Sequence, residues 1–180
     1  MPELRVALRY LRGDERPPRL HAVTLALGAA VLCASGIDGT VESAGRRLVA
    51  ALESGRAAQR FAHMVALLGG PPDLLDRHES LVERAPVIRP VTSAGGGHVV
   101  AMDARALGRC VVDHRVGLVR IVSIGGRVEA GQPLAWVHAR DEQAFALAER
   151  SVRESIRTAT APPPERPLVI ARVGAPADPG

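Results

Sequence analysis

The chain has 180 residues, of which 47% are hydrophobic and 2% aromatic, and its formal net charge is +4. This length is enough for one domain or two small ones, with a core built from Ala, Val, Leu and Ile. The basic residues are scattered among 19 acidic ones and the few aromatic rings give no stacking platform, so the composition argues against a nucleic-acid-binding function.

The first part of the chain carries helix signals. Residues 2–12 are typical of a short helix, and Pro17 and Pro18 suit the first turn of a second helix over 18–34. The second helix is apolar on nearly every side, so we expect it to be buried on most of its faces. The rest of the chain offers little to cover it.

Two more helices are predicted before residue 73. Thr40 is a typical N-cap, and Gly55 ends the helix that follows it. The apolar positions of this third helix share one face: Val41, Ala44, Leu48 and Leu52. A fourth helix stops at the Gly-Gly-Pro-Pro run 69–72. Its apolar positions are Ala57, Phe61, Met64 and Leu68. Residues 73–84 are predicted as a helical turn and a loop.

Strand signals begin after residue 85, where we expect a domain boundary. Residues 87–91 and 98–102 are predicted strands that the glycines 95–97 join in a hairpin turn. Asp103 is predicted to cap a short helix that runs through Cys110. Residues 116–124 form a β-rich run.

The last third of the chain combines a turn, a strand and a helix. A ten-residue turn over 125–134 leads into a strand over 134–138, and Asp141 is the predicted N-cap of an amphipathic helix. The apolar face of that helix consists of Phe145, Ala148, Val152 and Ile156. A stiff proline connector, a last strand over 168–173 and a disordered tail over 175–180 complete the prediction.

The turn over 125–134, Gly-Gly-Arg-Val-Glu-Ala-Gly-Gln-Pro-Leu, is the most informative local pattern. Its glycines tolerate positive φ and its proline fixes the exit, which lets two short strands reverse tightly. Turns of this kind occur in hammerhead or barrel-sandwich modules, both in lipoyl and biotinyl carriers and in the C-terminal domains of some enzymes. The chain contains no lysine, however, and a carrier attaches its cofactor to a lysine amine. The carrier function is therefore excluded, and no cofactor is predicted.

No predicted site combines the groups that catalysis needs. The glycines 95–97 precede a strand rather than a helix, which favours a turn over a phosphate loop. Asp113 and His114 could form a base and its orienting partner, but no serine nucleophile stands beside them. The cluster over 138–142 is explained by an N-cap with acidic residues in the first turn. The six histidines lack metal-ligand spacing: His21, His63, His78, His98, His114 and His138.

Two further signals concern compartment and redox state. Cys33 and Cys110 are too few and too far apart for a disulfide framework or a zinc site. The N-terminal segment lacks a signal-peptide core, and the longest apolar run, residues 22–34, is too short to span a bilayer. We expect a cytoplasmic protein with no membrane partner.

Seven stretches together resemble the C-terminal portion of the thymidine phosphorylase and pyrimidine-nucleoside phosphorylase family, over roughly residues 4–160. The stretches are LHAVTLALG at 20–28, LESGRA at 52–57, APVIRPV at 85–91, AMDARALG at 101–108, DHRVGL at 113–118, GGRVEAGQPL at 125–134 and HARDE at 138–142. Each is weak alone, but the set in this order is quite specific.

The resemblance implies an α+β fold and a family activity. Residues 1–84 would be a helical segment equivalent to the closing helices of the family's α/β domain, and residues 85–174 an α/β-hammerhead, barrel-sandwich-like C-terminal domain. The family enzymes are homodimeric pentosyltransferases of pyrimidine metabolism that convert thymidine and phosphate to thymine and 2-deoxyribose 1-phosphate.

The resemblance also implies that the chemistry lies elsewhere. The family's phosphate loop, with its Lys-Ser and Gly-rich segment, and the Arg, Ser and Lys that hold the pyrimidine belong to its N-terminal half and match no position here. No catalytic, substrate-binding or metal-binding residue is therefore carried over. Two departures accompany this deficit: the family's longer glycine-rich loop is contracted at 111–113, and His98 replaces a usual aromatic residue.

Two functions remain open at this point. The chain is either the C-terminal part of such a phosphorylase, inactive alone, from a split or truncated gene, or a non-catalytic assembly or binding module that docks on a phosphorylase-like partner. Phosphate and a pyrimidine nucleoside would be ligands of the complete enzyme only. The expected protein partner is a second copy of the chain or a complementary N-terminal half.

Overall fold

A computed structural model describes residues 2–81, 85–112, 116–171 and 173. Contacts divide the chain into two compact units. The α+β unit contains residues 1–6 and 77–165, and the helical unit contains residues 7–76 and 166–180. None of the helices in these described ranges is both long enough and apolar enough to cross a membrane.

The described N-terminal part of the chain forms five helices, and the first four lie at the predicted positions. They are α1 (Pro2–Arg12), α2 (Pro18–Ala34), α3 (Val41–Glu53), α4 (Arg56–Leu67) and α5 (Leu74–Leu81). Thr40 caps α3 as predicted, because its side chain accepts a hydrogen bond from the Ser43 amide at 3.2 Å. The segment predicted as a turn and a loop after residue 73 instead contains the eight-residue helix α5.

One polar cluster ties the first three helices of the helical unit together. The hydroxyl of buried Tyr10 lies 2.9 Å from Nδ1 of His21. Arg16 donates to the carbonyl oxygens of Tyr10, at 3.2 Å, and of Leu52, at 3.1 Å. These bonds satisfy backbone carbonyls near the ends of α1 and α3, so His21 has a structural role, as the sequence indicated.

The expectation that α2 is buried on most faces is wrong for this structure. Ala29 is its buried residue, and the helix packs most closely on α3. Along the opposite side Leu20, Leu27 and Val31 are 40%, 62% and 66% exposed. The helical unit covers only one side of α2, because α3 is the main element packed against it.

Within its described residues the α+β unit contains two three-stranded antiparallel sheets and two complete helices. The first sheet has the strand order β1-β5-β3, and the second has the order β4-β2-β6. The strands are β1 (Val87–Thr92), β2 (Gly97–Met102), β3 (Val116–Val119), β4 (Arg127–Val128), β5 (Pro133–Ala139) and β6 (Ile156–Ala159). The helices are α6 (Ala104–Val111) and α7 (Glu142–Ser155). The chain is thus a mixed α+β protein, as the sequence indicated.

The core of the α+β unit lies between the first sheet and α7. Alternate residues of β5 point toward α7 and are fully buried: Ala135, Val137 and Ala139. They meet the predicted apolar face of α7, including Phe145, Ala148 and Val152. Asp141 caps this helix as predicted, accepting a 2.7 Å hydrogen bond from the Ala144 amide.

The predicted hairpin between the first two strands is wrong. β1 pairs with β5, whereas β2 pairs with β4 and β6. The glycines 95–97 therefore connect strands of different sheets. The backbone of Ser93, just before them, exchanges hydrogen bonds with Gly131 and Gln132 instead of with β2. These longer-range partners hold the connection and separate the two strands.

The turn over 125–134 is also more than a tight reversal. It lies between β3 and β5, which are paired, but it contributes β4 to the other sheet. Gly125 has φ of +87° and Gly131 has φ of +82°, so glycine is required at both bends. The segment connects the two sheets rather than forming a simple hairpin.

The prediction of a last strand over 168–173 is wrong. Ile156, assigned to the apolar face of α7, begins β6, while residues 168–171 form no strand. Ile170 is 87% exposed, so its β propensity has no pairing partner to satisfy it. The predicted disordered tail over 175–180 lies outside the described residues.

Candidate functional site

A cavity of about 280 Å³ lies between α6 and α7 of the α+β unit. Its polar lining consists of Arg109, Cys110, Gln143 and Ser151. The apolar lining includes Val116, Leu147 and Ala148. Its described lining residues include neither a carboxylate nor an imidazole, the groups that usually serve as general acid or base. No local sequence pattern indicates this cavity, because its lining comes from three separate elements, α6, β3 and α7.

Among the histidines whose side chains the structure describes, His138 has a shifted pKa. Burial lowers its pKa below the ordinary 6.5, and the positive charge of Arg5 lowers it further, while Glu3 acts in the opposite direction. The lowered pKa favours the neutral imidazole. Its cross-strand neighbours are Ile88 and Gly117, which carry no nucleophile that it could activate.

The remaining residues of the cluster over 138–142 stabilise the start of α7. Asp141 is the N-cap, and Arg140 lies 3.8 Å from its carboxylate. Glu142 forms an ion pair with Arg89 of β1. The geometry agrees with a capped helix start, and these charged groups are engaged with one another rather than arranged around a substrate site.

The glycines 95–97 have no phosphate-loop geometry. A strand, β2, begins at Gly97, so no helix N-terminus points into the loop. The Ser93 hydroxyl donates to the Gly95 carbonyl oxygen at 2.6 Å, and its amide donates to Gln132 at 2.8 Å. Both donors of Ser93, at the start of this connection, are therefore used within the fold.

The other candidate residues do not come together. His63 is exposed on α4, and Nδ1 of His98 lies 3.3 Å from the Gly125 carbonyl oxygen. Cys33 lies on α2 and Cys110 on α6, in different units. The side chain of His78 and the pair Asp113–His114 lie outside the described residues. Within the described ranges no group of three or more His, Cys, Asp or Glu side chains is placed to hold a metal ion.

Comparison with known proteins identifies the family. Residues 91–159 match the model of the pyrimidine nucleoside phosphorylase C-terminal domain. The chain is also 45% identical over 177 residues to the thymidine phosphorylase of Burkholderia cenocepacia strain HI2424, covering 89% of this chain and 40% of that protein. The chain belongs to the pyrimidine-nucleoside phosphorylase family and corresponds to the C-terminal portion of its members.

Other phosphorylases give the same result. Thymidine phosphorylase of Burkholderia orbicola strain AU 1054 is 45% identical over 177 residues, covering 89% of this chain and 40% of that protein. That of Burkholderia lata is 45% identical over 166 residues, covering 85% of this chain and 38% of that enzyme. The chain thus spans about two fifths of the length of the curated phosphorylases it matches.

The matched phosphorylase domain lies within the α+β unit. Residues 91–159 begin at the end of β1 and include β2–β6, α6 and α7. The cavity, the capped start of α7 and the turn over 125–134 all lie inside this matched range. The glycines 95–97 and the cluster over 138–142, two of the candidate sites, therefore belong to the matched domain, and the hydrogen bonds and ion pairs around them stabilise its fold.

Proposed function

We propose that this chain is the C-terminal part of a thymidine or pyrimidine-nucleoside phosphorylase and that it is inactive alone. The complete enzyme would convert thymidine and phosphate to thymine and 2-deoxyribose 1-phosphate. The observation that carries the proposal is the 45% identity to thymidine phosphorylases over nearly the whole chain, combined with coverage of only 40% of their length.

The proposed inactivity follows from the chemistry of phosphorolysis. Phosphate must be held against the anomeric carbon, and negative charge must be stabilised on the departing base. The chain has no lysine for either task. The described lining residues of the cavity between α6 and α7 include one guanidinium, from Arg109, and no carboxylate or imidazole. We therefore assign no catalytic, substrate-binding or metal-binding residue and no cofactor.

We also propose a domain organisation for the chain. Residues 1–84 would correspond to the closing helices of the phosphorylase α/β domain, and residues 85–174 to an α/β-hammerhead, barrel-sandwich-like C-terminal domain. The two three-stranded sheets, which the glycines 95–97 and the turn over 125–134 connect, support the assignment of the C-terminal domain. The complete enzyme would be a cytoplasmic homodimer with phosphate and a pyrimidine nucleoside as its ligands.

Activity measurements on two proteins test this function. The first is the purified 180-residue chain with thymidine and phosphate, assayed for thymine by chromatography; we expect none. The second is a chimera in which this chain replaces the matching segment of the B. cenocepacia enzyme; we expect phosphorolysis. Thymine release by the chain alone would contradict its inactivity, and a folded but inactive chimera would contradict its role as a phosphorylase part.

The exposed apolar side of α2 supports a second candidate, a non-catalytic assembly module that docks on a phosphorylase-like partner. Three large apolar residues of one helix, Leu20, Leu27 and Val31, are 40–66% exposed. This candidate predicts that the chain binds intact B. cenocepacia thymidine phosphorylase, measured by analytical ultracentrifugation. Sedimentation of the two proteins as separate species would exclude it.

A further inference from the structure

The exposed apolar residues of α2 form a continuous stripe. Leu20, Leu27 and Val31 are 40%, 62% and 66% exposed, and Thr24 and Ala34 are exposed between and after them. The spacing alternates between four and three residues, which keeps all five on one side of a helix. We call these five residues the α2 stripe: Leu20, Thr24, Leu27, Val31 and Ala34.

The composition of α2 is unlike that of a helix that faces water. From Leu20 to Ala34 the chain has no Asp, Glu, Lys or Arg. A solvated helix normally carries charged residues opposite its buried side, and a helix that is apolar all round is normally buried. The opposite side of α2 is already used, because Ala29 there is buried, and Gly28, on a flank of the helix, lies close to Leu48 of α3. The stripe is therefore a second packing face.

Leu147 provides a contrast within the same chain. It is 56% exposed on α7, close to the exposed fraction of Leu27. Its helical neighbours at three and four residues include Gln143, Arg150 and Ser151, which are polar. A single exposed leucine on a polar face is common in proteins, whereas a charge-free stripe of four helical turns is not.

The size of the stripe favours a large partner over a second α2. A helix of 17 residues is about 25 Å long. Two such helices would bury little beyond their stripes, well short of the roughly 1,200 Å² of a stable interface. The related phosphorylases contain about 60% of their length outside the matched segment. Residues 91–159 match a C-terminal domain, so most of this additional length of the relatives precedes that domain in sequence. The helix α2 also precedes that domain in sequence.

We infer that the α2 stripe is the surface on which the N-terminal portion of a phosphorylase packs. The inference rests on the proposed function. The partner surface would be apolar and uncharged where it meets Leu27 and Val31, since neither residue could neutralise a buried charge. Helices cover sheets in α/β domains, and an apolar sheet face has the required flat shape.

Thiol labelling tests the inference directly. Leu27→Cys is placed in the isolated chain and in the chimera with the B. cenocepacia enzyme, and maleimide labelling is followed by mass spectrometry at that peptide. Leu147→Cys is the matched control. We expect labelling at position 27 to slow by about tenfold or more in the chimera, because a packed face reacts only when it opens. Labelling at position 147 should keep its rate. Equal rates at position 27 in both proteins would overturn the inference.

Introducing negative charge into the α2 stripe tests the same face. Leu27→Glu with Val31→Glu should leave the melting temperature of the isolated chain within about 2 °C, because both side chains face water there. The same two substitutions should clearly lower the melting temperature of the chimera, because both new carboxylates would be buried there. In the isolated chain the pair should also remove binding of a dye for apolar surface, which Leu147→Glu should preserve. Unchanged dye binding, or an unchanged chimera, would contradict a packing face.

Failure of the inference and failure of the proposed function give different results. An active chimera that labels freely at position 27 would retain the function and reject the stripe as the docking face. A folded but inactive chimera with position 27 protected would retain the docking face and reject the assignment of phosphorylase activity to the assembly.

Discussion

The guanidinium carbon of Arg89 lies 4.0 Å from the centre of the Phe145 ring. The same guanidinium pairs with Glu142, so one side chain of β1 contacts two residues of the first turn of α7. Strand and helix are 53 residues apart in sequence at this ion pair. Arg89 therefore contributes to the alignment of the first sheet with the helix that covers it.

Removing this cation should cost more stability than removing its anionic partner. Arg89→Ala loses the ring contact, the aliphatic stem and the ion pair, and we expect a loss of about 1 kcal/mol in unfolding free energy. Glu142→Gln should cost less than about 0.5 kcal/mol, because this carboxylate is largely exposed and exposed pairs are weak. Urea unfolding monitored by the single tryptophan, Trp136, measures both. An equal loss in the two variants would contradict a role for the ring contact.

Gly28 should respond differently to alanine than Gly45 does. A Cβ at Gly28 would lie 2.8 Å from Cδ1 of Leu48, whereas one at Gly45 would meet nothing within 4 Å. Gly45→Ala should therefore raise stability by about 0.5–1 kcal/mol through helix propensity alone. Gly28→Ala should gain less, because Leu48 must rotate, and Gly28→Leu should lose about 1–3 kcal/mol through overpacking. Thermal unfolding by circular dichroism compares them. A more stable Gly28→Leu variant would show that the two helices are not closely packed.

Local signals predicted the helices well because they act within a few residues. Thr40, Asp103 and Asp141 each accept a hydrogen bond from an amide two or three residues ahead, so a short window of sequence contains the whole interaction. The capped start of α7 and the structural role of His21 were accessible to the same reasoning.

Strand pairing was less accessible because it depends on distant partners. Val91 is buried beside Ala135, and Val99 pairs with Thr158, separations that no local pattern encodes. Ile156 continues the apolar period of α7 but leaves the helix to pair with Met102. The cavity between α6 and α7 was missed for a similar reason, since its lining comes from three separate elements.

Gly97 should be the least replaceable glycine of the second sheet. Its φ is +152°, and a Cβ there would lie 2.6 Å from the carbonyl oxygen of Ala159, which belongs to the backbone and cannot rotate away. Gly97→Ala should cost about 1–3 kcal/mol and loosen the pairing of β2 with β6. Hydrogen exchange at Thr158 and the unfolding free energy are the measurements. Gly108→Ala, in open space on α6, is the matched control and should not weaken this pairing. Unaltered exchange at Thr158 in Gly97→Ala would refute the steric argument.

The charges near His138 should move its pKa in opposite directions when they are removed one at a time. Burial and then Arg5 lower the pKa from 6.5, and Glu3 raises it. Arg5→Gln should therefore raise the pKa of His138, and Glu3→Gln should lower it further. The measurement is a titration of the imidazole by NMR, with circular dichroism to verify that each variant keeps its fold. Shifts of the same sign in both variants would contradict a Coulombic origin.

The same shift fixes the direction of one contribution to acid sensitivity. Because the folded pKa of His138 lies below its unfolded value of 6.5, the unfolded state binds a proton first as the pH falls. The contribution of His138 to stability is therefore complete above pH 6.5 and declines as the pH falls from there toward the folded pKa. His138→Gln should remove that part of the pH dependence, measured as the difference in urea midpoint between pH 7.5 and pH values below 6.5. A larger pH dependence in His138→Gln than in the parent chain would reverse the assigned sign.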